Sequence, residues 1–202
     1  DDLFINRPDL CDYQGGFVDG KVIDLAYLHE VARFGNEPSR AAFQGAFTAF
    51  CHEPEIEELL PTIPVYPEKG HDRRIKAFYS MAFMQNWLMG EAARHDNSYT
   101  IQRAASQLAL YAGRLILAHN HVLYPYHKWL LRALEDAPEK PDGFMASLAA
   151  LNTAPSAKTA ERLFNGLRAF RDWGVQDLEA YLWFMREVEW GWRSGAPSLD
   201  DL

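Results

Sequence analysis

The densest group of reactive side chains lies in Leu117-Ala-His-Asn-His-Val-Leu-Tyr-Pro-Tyr-His-Lys-Trp129. This short run carries His119, Asn120, His121, Tyr124, Tyr126, His127, Lys128 and Trp129. Such groups titrate, donate hydrogen bonds and stack, so a small-molecule site is sought here first. Three readings suit it. His119, His121 and His127 offer imidazole nitrogens to a metal, although no Glu-x-x-His or His-x-x-x-His spacing supports that. Alternatively, Asn and His satisfy open backbone groups at a helix end, while Tyr and Trp pack with their polar tips in water. Between the two lies a ligand corner. There Lys128 supplies a point charge for phosphate, Tyr124 or Tyr126 a stacking face, and His127 a hydrogen bond, with His119 and Asn120 beside them.

A second candidate is Asp24. The run Tyr13–Leu28 gives two β-rich stretches around Asp19-Gly20, and Asp-Gly between apolar runs signals a hairpin. Phe17-Val18 and Val22–Leu25 are expected to pair, which places Asp24 within an apolar strand. There it is either an edge residue facing water or a metal-binding or general-base carboxylate on a rigid element.

The elements that must position these groups fall into two parts. Residues 1–66 read as a partial α/β segment. It has a strand stub at Leu3–Ile5, a short helix from His29 to Phe34, a candidate strand at Ala46–Phe50 and a helix opened by Pro54 with acids in its first turn. Pro61, Pro64 and Pro67 form an extended linker. Residues 67–202 read as a helical bundle. Its helices are expected over Asp72–Arg94, from Asn97 or Ser98 through Ile116, then over Tyr126–Leu134, Gly143–Leu151, Ser156–Trp173 and Gln176–Trp190. The second is apolar almost all round and is expected at the centre. The tail, Ser194-Gly-Ala-Pro-Ser198, reads as frayed.

Composition sets the outer bounds. Apolar residues make up 48% of the 202, with 6 Trp, 9 Tyr and 12 Phe, enough for a real core. The net charge of −8, from 28 acidic and 20 basic residues, argues against a general nucleic-acid binder. The apolar runs are broken well short of the ~20 residues that span a bilayer, so no membrane partner is expected. Cys11 and Cys51 fit no metal spacing, and with no secretory leader they suggest a reducing cytoplasm. The chain opens on Asp1-Asp2 where a start methionine would stand, so an upstream segment is expected. There is no Gly-rich phosphate loop, no Gly-x-Ser-x-Gly and no Cys/His nucleophile pair.

Gly15-Gly-Phe-Val-Asp-Gly-Lys-Val-Ile-Asp-Leu25, Gly35-Asn-Glu-Pro-Ser-Arg-Ala-Ala-Phe43, Ile63-Pro-Val-Tyr-Pro67, the Leu117–Trp129 run, Phe170-Arg-Asp-Trp-Gly174 and Glu189-Trp-Gly-Trp-Arg193 resemble bacterial nucleotidyltransferases of the DNA polymerase beta superfamily, of the aminoglycoside and lincosamide type. The resemblance implies an α+β fold: a remnant of a nucleotidyltransferase sheet, then a predominantly helical up-and-down bundle, with substrate held between them. It implies transfer of a nucleoside monophosphate from a nucleoside triphosphate, ATP by expectation, to a hydroxyl of a small-molecule acceptor, with Mg²⁺ and a possible homodimer. It assigns Asp24 the role of third catalytic and metal-binding carboxylate, and His119, Asn120, Tyr124, His127 and Lys128 the binding of substrate or nucleotide. The family's Gly-Ser turn and Asp-x-Asp pair are missing, and Asp2 mimics only half of that pair, so transfer is expected to be incomplete in this chain. Two alternatives remain. Arg114-Leu-Ile-Leu-Ala-His119 resembles the Arg-x(4–6)-His motif of HEPN ribonucleases, and a non-catalytic ligand-binding module fits the missing carboxylates.

Overall fold

The computed structural model describes residues 4–195. Asp2 and the tail beyond Gly195, both considered above, lie outside them. The chain divides between Val65 and Tyr66 into two compact units. The described residues combine many helices with one small antiparallel sheet of two strands.

In the first unit, β1 (Phe4–Arg7) pairs with β2 (Val18–Lys21), placing Asn6 opposite Asp19 and Ile5 opposite Gly20. The expected hairpin about Asp19-Gly20 is therefore wrong. Positive φ falls instead on Gly15, at 79°, in the connection between the strands, and Gly20 stays in the strand. The reason lies in the next residues. Asp24 leaves the strand and becomes the N-cap of α1 (Leu25–Phe34), its Oδ1 accepting Tyr27 N–H at 2.7 Å. An Asp before an apolar helix satisfies an open amide there, which competes with continued strand pairing. The helix thus starts four residues before His29.

Asn36 caps α2 (Glu37–Ala41) in the same way. Pro54 opens α3 (Pro54–Leu59). The Ala46–Phe50 run forms no strand, and Phe47 and Phe50 are exposed. Leu28, Val31 and Ile63 make a small core, flanked by Leu25, Phe43, Ile56 and Leu60. Arg40 is buried beside it. Its Nε donates to Gly35 O at 2.9 Å, and its two terminal nitrogens donate to Ile63 O at 3.1 Å and Ala32 O at 2.7 Å. One guanidinium thereby satisfies carbonyls at the C-terminal end of α1 and ties the Ile63 segment to them.

The second unit begins with α4 (His71–Arg94) and α5 (Ser98–His119). A three-residue link makes them an antiparallel pair. Asn97 caps α5 through Thr100 N–H at 3.0 Å. The α5 side chains Ala104, Leu108, Ala112, Leu115, Ile116 and Leu117 are fully buried. Gln102, Arg103 and Ser106 face water, but from Leu108 onward burial runs all round because α4, α6 (Leu130–Asp136), α7 (Phe144–Thr153) and α8 (Ala157–Phe170) pack on the helix. Gly113 permits the approach of α6, since a Cβ there would lie 2.9 Å from Leu134 Cδ1. A further helix, α9 (Asp177–Phe184), packs against α4. No helix of the described residues is long and apolar enough to cross a membrane.

Three helix ends differ from expectation. Tyr126 takes φ 73°, outside the helical region, so only a 3₁₀ turn (His127–Trp129) precedes α6. Helix α8 has the Ser156/Thr159 capping box but stops at Phe170. Beyond it the buried Trp173 folds back, its indole Nε1–H donating to Leu167 O at 2.8 Å in place of another helical turn. Past α9, Met185–Glu189 widens into a π-helical turn, so the helix expected to reach Trp190 ends at Phe184 in its α form.

Because Arg40 satisfies three carbonyls at once, Arg40→Ala should lower the free energy of opening at the α1 amides by about 2–4 kcal/mol in native-state hydrogen exchange. Arg33→Ala, which removes only an exposed cation–π contact to Phe34, should change it by less than about 1 kcal/mol.

Candidate functional site

The end of α5 and the start of α4 supply the polar side chains that converge in the second unit. His119 closes α5, Asn120 caps it, and His121 follows at φ 54°. Asn120 is committed to the backbone. Its Nδ2 donates to Ile116 O at 2.8 Å and Glu139 O at 2.7 Å, while its Oδ1 accepts Glu139 N–H at 2.9 Å. This clamps the 137–141 segment to the helix end, as the helix-corner reading anticipates. His119 lies between two charged partners, with Nδ1 2.7 Å from Arg171 and Nε2 2.9 Å from Glu139. An arginine nitrogen can only donate, so Nδ1 accepts and Nε2–H donates to the carboxylate. The rings of Phe170 and Trp173 meet the imidazole edge to face, at 5.3 and 5.9 Å.

His121 turns to a different set. Its Nδ1 is 2.8 Å from Glu68 Oε1, and its ring stacks on His71 with centroids 4.6 Å apart and planes 12° from parallel. Tyr66 presents its ring edge to both, and its hydroxyl lies 3.1 Å from His71 Nδ1. Among the described residues, Glu68, His71 and His121 are the group of His, Cys, Asp or Glu side chains that could hold a metal. Burial pushes the His71 imidazole below its ordinary range, and the neighbouring His121 and Arg74 push the same way, against Asp72 and Glu68.

His71 also borders a cleft of about 310 Å³, together with Asp72, Ile75, Lys76, Arg171 and Trp173. Lys76 borders a second cleft of about 550 Å³, lined by Leu178, Leu182, Trp183 and Arg186. Lys76 is paired with Glu179 and holds that carboxyl below the usual carboxylate range.

The rest of the Leu117–Trp129 run points elsewhere. Tyr124 is buried, with the Arg114 guanidinium 4.7 Å from its ring centroid, and is unavailable as a stacking face. His127 lines a small cavity of about 190 Å³ with Ser106, Leu110, Leu148 and Asn152. Lys128 lies over the exposed Trp129 ring at 5.3 Å. Of the ligand corner expected from Lys128, Tyr124 or Tyr126, and His127, the rings do meet, His127 lying 4.5 Å from Tyr126 and 6.0 Å from Tyr124, whereas His119 and Asn120 are held by Arg171 and Glu139. Arg114 is held between the Phe78 and Tyr124 rings, at 4.2 and 4.7 Å.

Asp24 belongs to the first unit and caps a helix. It is not part of any group of three or more metal-ligating side chains among the described residues. A single exposed carboxylate used as a cap does not fit a site for two Mg²⁺ ions. Glu68, His71 and Arg171 were missed as site residues. Glu68 and His121 stand 53 positions apart, and only the packing of α4 on α5 brings them together. The chain matches no family model, and no curated protein or solved structure is significantly similar to it.

Because burial disfavours the charged imidazole, the unfolded chain takes up a proton at His71 over a pH range in which the folded chain does not. Its contribution is full above the ordinary histidine pKa of about 6.5 and is lost as pH falls below it. The wild-type Tm should thus fall more steeply than that of His71→Gln between about pH 7 and pH 5, as measured by scanning calorimetry. Parallel profiles would refute this role.

Proposed function

We propose that this chain is the substrate-holding part of a nucleotidyltransferase-type protein and that it binds the nucleoside triphosphate without transferring it. The observation that carries the reading is the cleft in which Lys76 and Arg171 stand beside Trp173 and His71. Cations at a concave surface suit a phosphate chain, with Arg able to engage it through two N–H groups. The Lys76–Glu179 pair is partly exposed, and such pairs contribute at most about 1 kcal/mol, so a triphosphate can displace the carboxylate. The neighbouring apolar surface of Leu178, Leu182 and Trp183 suits a base or an acceptor.

The first unit supports the same reading. Phe4, Ile5 and Val18 are exposed on a pair of four-residue strands, and two such strands alone are marginal in water. A larger sheet, as in the nucleotidyltransferases this sequence resembles, would cover them. In those nucleotidyltransferases the Asp-x-Asp pair lies on such a sheet; this sequence carries no such pair, so binding without turnover is expected. The acceptor is then a small molecule carrying a hydroxyl.

Calorimetric titration with ATP and Mg²⁺ tests the reading. The wild type should bind one nucleotide and release no pyrophosphate. Arg171→Ala should weaken binding at least tenfold, about 1.4 kcal/mol, whereas Lys128→Ala should leave it unchanged. Absence of binding at millimolar ATP would overturn the reading. Loss of binding in Lys128→Ala alone would move the nucleotide away from this cleft.

A further inference from the structure

Three side chains with metal-ligating atoms meet where the start of α4 passes the exit of α5. Glu68 Oε1 and His121 Nδ1 are 2.8 Å apart, the His71 and His121 rings are stacked, and one ligating atom from each of the three lies within 4.8 Å of the others. Zn²⁺ bonds of about 2.0–2.1 Å place tetrahedral ligand atoms roughly 3.3 Å apart. The Glu68–His121 separation lies below that value, and all three ligating atoms lie within 4.8 Å of one another. The stacked rings hold their lone pairs in near-parallel planes, so His121 must turn for both to meet one ion; the side chains of Glu68 and His121 are 67% and 49% exposed and so can move.

The surroundings orient these groups. The Tyr66 hydroxyl accepts Arg74 Nε–H at 3.3 Å and lies 3.1 Å from His71 Nδ1. Its other lone pair can accept Nδ1–H, and that tautomer leaves Nε2 as the ligating nitrogen. Arg74 also donates to Lys69 O at 3.1 Å and to Pro67 O, and its guanidinium lies 4.9 Å from the Tyr66 ring centroid. The backbone on either side of Glu68 is thus pinned by the same arginine. Outer contacts of this kind fix the ring and backbone of metal ligands. Among the described residues, His121 is also one of three other than glycine held at positive φ, a conformation with a cost for any side chain.

We propose that Glu68, His71 and His121 form a binding site for a divalent transition metal of the zinc class, with three protein ligands and one position open to water. Two imidazoles and one carboxylate select such an ion over Mg²⁺, which prefers an all-oxygen octahedron. The site is independent of the nucleotide reading, because its ligands require neither ATP nor the missing carboxylates. A bound ion would cross-link the 66–70 segment, the first turn of α4 and the turn after α5.

The test uses the full chain, stripped with chelator and titrated with Zn²⁺ in the absence of nucleotide. One equivalent should bind, and Co²⁺ in its place should show the visible absorption of a four-coordinate ion. His121→Asn keeps a residue that tolerates positive φ, and Glu68→Gln keeps the shape of the carboxylate. Each should weaken Zn²⁺ binding at least tenfold with an unchanged circular dichroism spectrum. His29→Asn, which removes a histidine paired with Glu55 in the first unit, should bind as wild type does. Millimolar Mg²⁺ should not compete. No stoichiometric uptake by the wild type, or full affinity in both His121→Asn and Glu68→Gln, would overturn the site.

Discussion

Burial of α5 from Leu108 to Ala118, where no residue is exposed, is the constraint from which the second unit follows. A helix whose side chains Leu108, Ala112, Leu115, Ile116 and Leu117 all leave water must be surrounded, so α4, α6, α7 and α8 are recruited to it. Small residues set how closely they approach, as at Gly113 beneath Leu134. The polar residues of the Leu117–Trp129 run are then forced to the end of α5, where open carbonyls and amides need partners. Asn120 meets that need, and the histidines on either side of it diverge toward different neighbours.

This divergence separates what sequence can reveal from what it cannot. The helical unit was legible because its signals are local. These include the 3.6-residue periodicity of α4 and α5, Asn97 at the start of α5, and the prolines before Tyr66. Failures occurred where two local signals competed. Asp19-Gly20 looks like a turn and Asp24 like a strand carboxylate. Yet Asp24 captures Tyr27 N–H and ends the extended run, so β2 finds its partner at Phe4–Arg7 instead. Trp173 shows the same competition at the other end of the chain. An indole bonded to Leu167 O replaces a turn of helix that the apolar pattern alone would extend.

The site was legible only in part, and for a geometric reason. Residues adjacent in sequence at a helix terminus face different directions, so density of reactive groups does not imply convergence. His119 reaches Arg171 and Glu139, His121 reaches Glu68 and His71, and His127 turns to a cavity under α7. Glu68 and His71 stand in a Glu-x-x-His spacing, but His121, which completes the group, lies far along the chain, where no short motif records it. The place of Arg171 beside His119 depends on the fold-back that buries Trp173.

The donor atoms divide the chemistry between the two proposals. Phosphoryl transfer by two Mg²⁺ ions requires carboxylates fixed close together on a rigid sheet. The acid that the resemblance assigns to that task, Asp24, already caps a helix with one of its oxygens. What the second unit offers is of another kind. Lys76 and Arg171 at a concave surface are suited to anions, and His71 and His121 with Glu68 are suited to a borderline-soft cation. His71 belongs to both sets, so an ion held there would add positive charge at the edge of the cleft. The proposed binding of triphosphate and of metal therefore favour one another electrostatically.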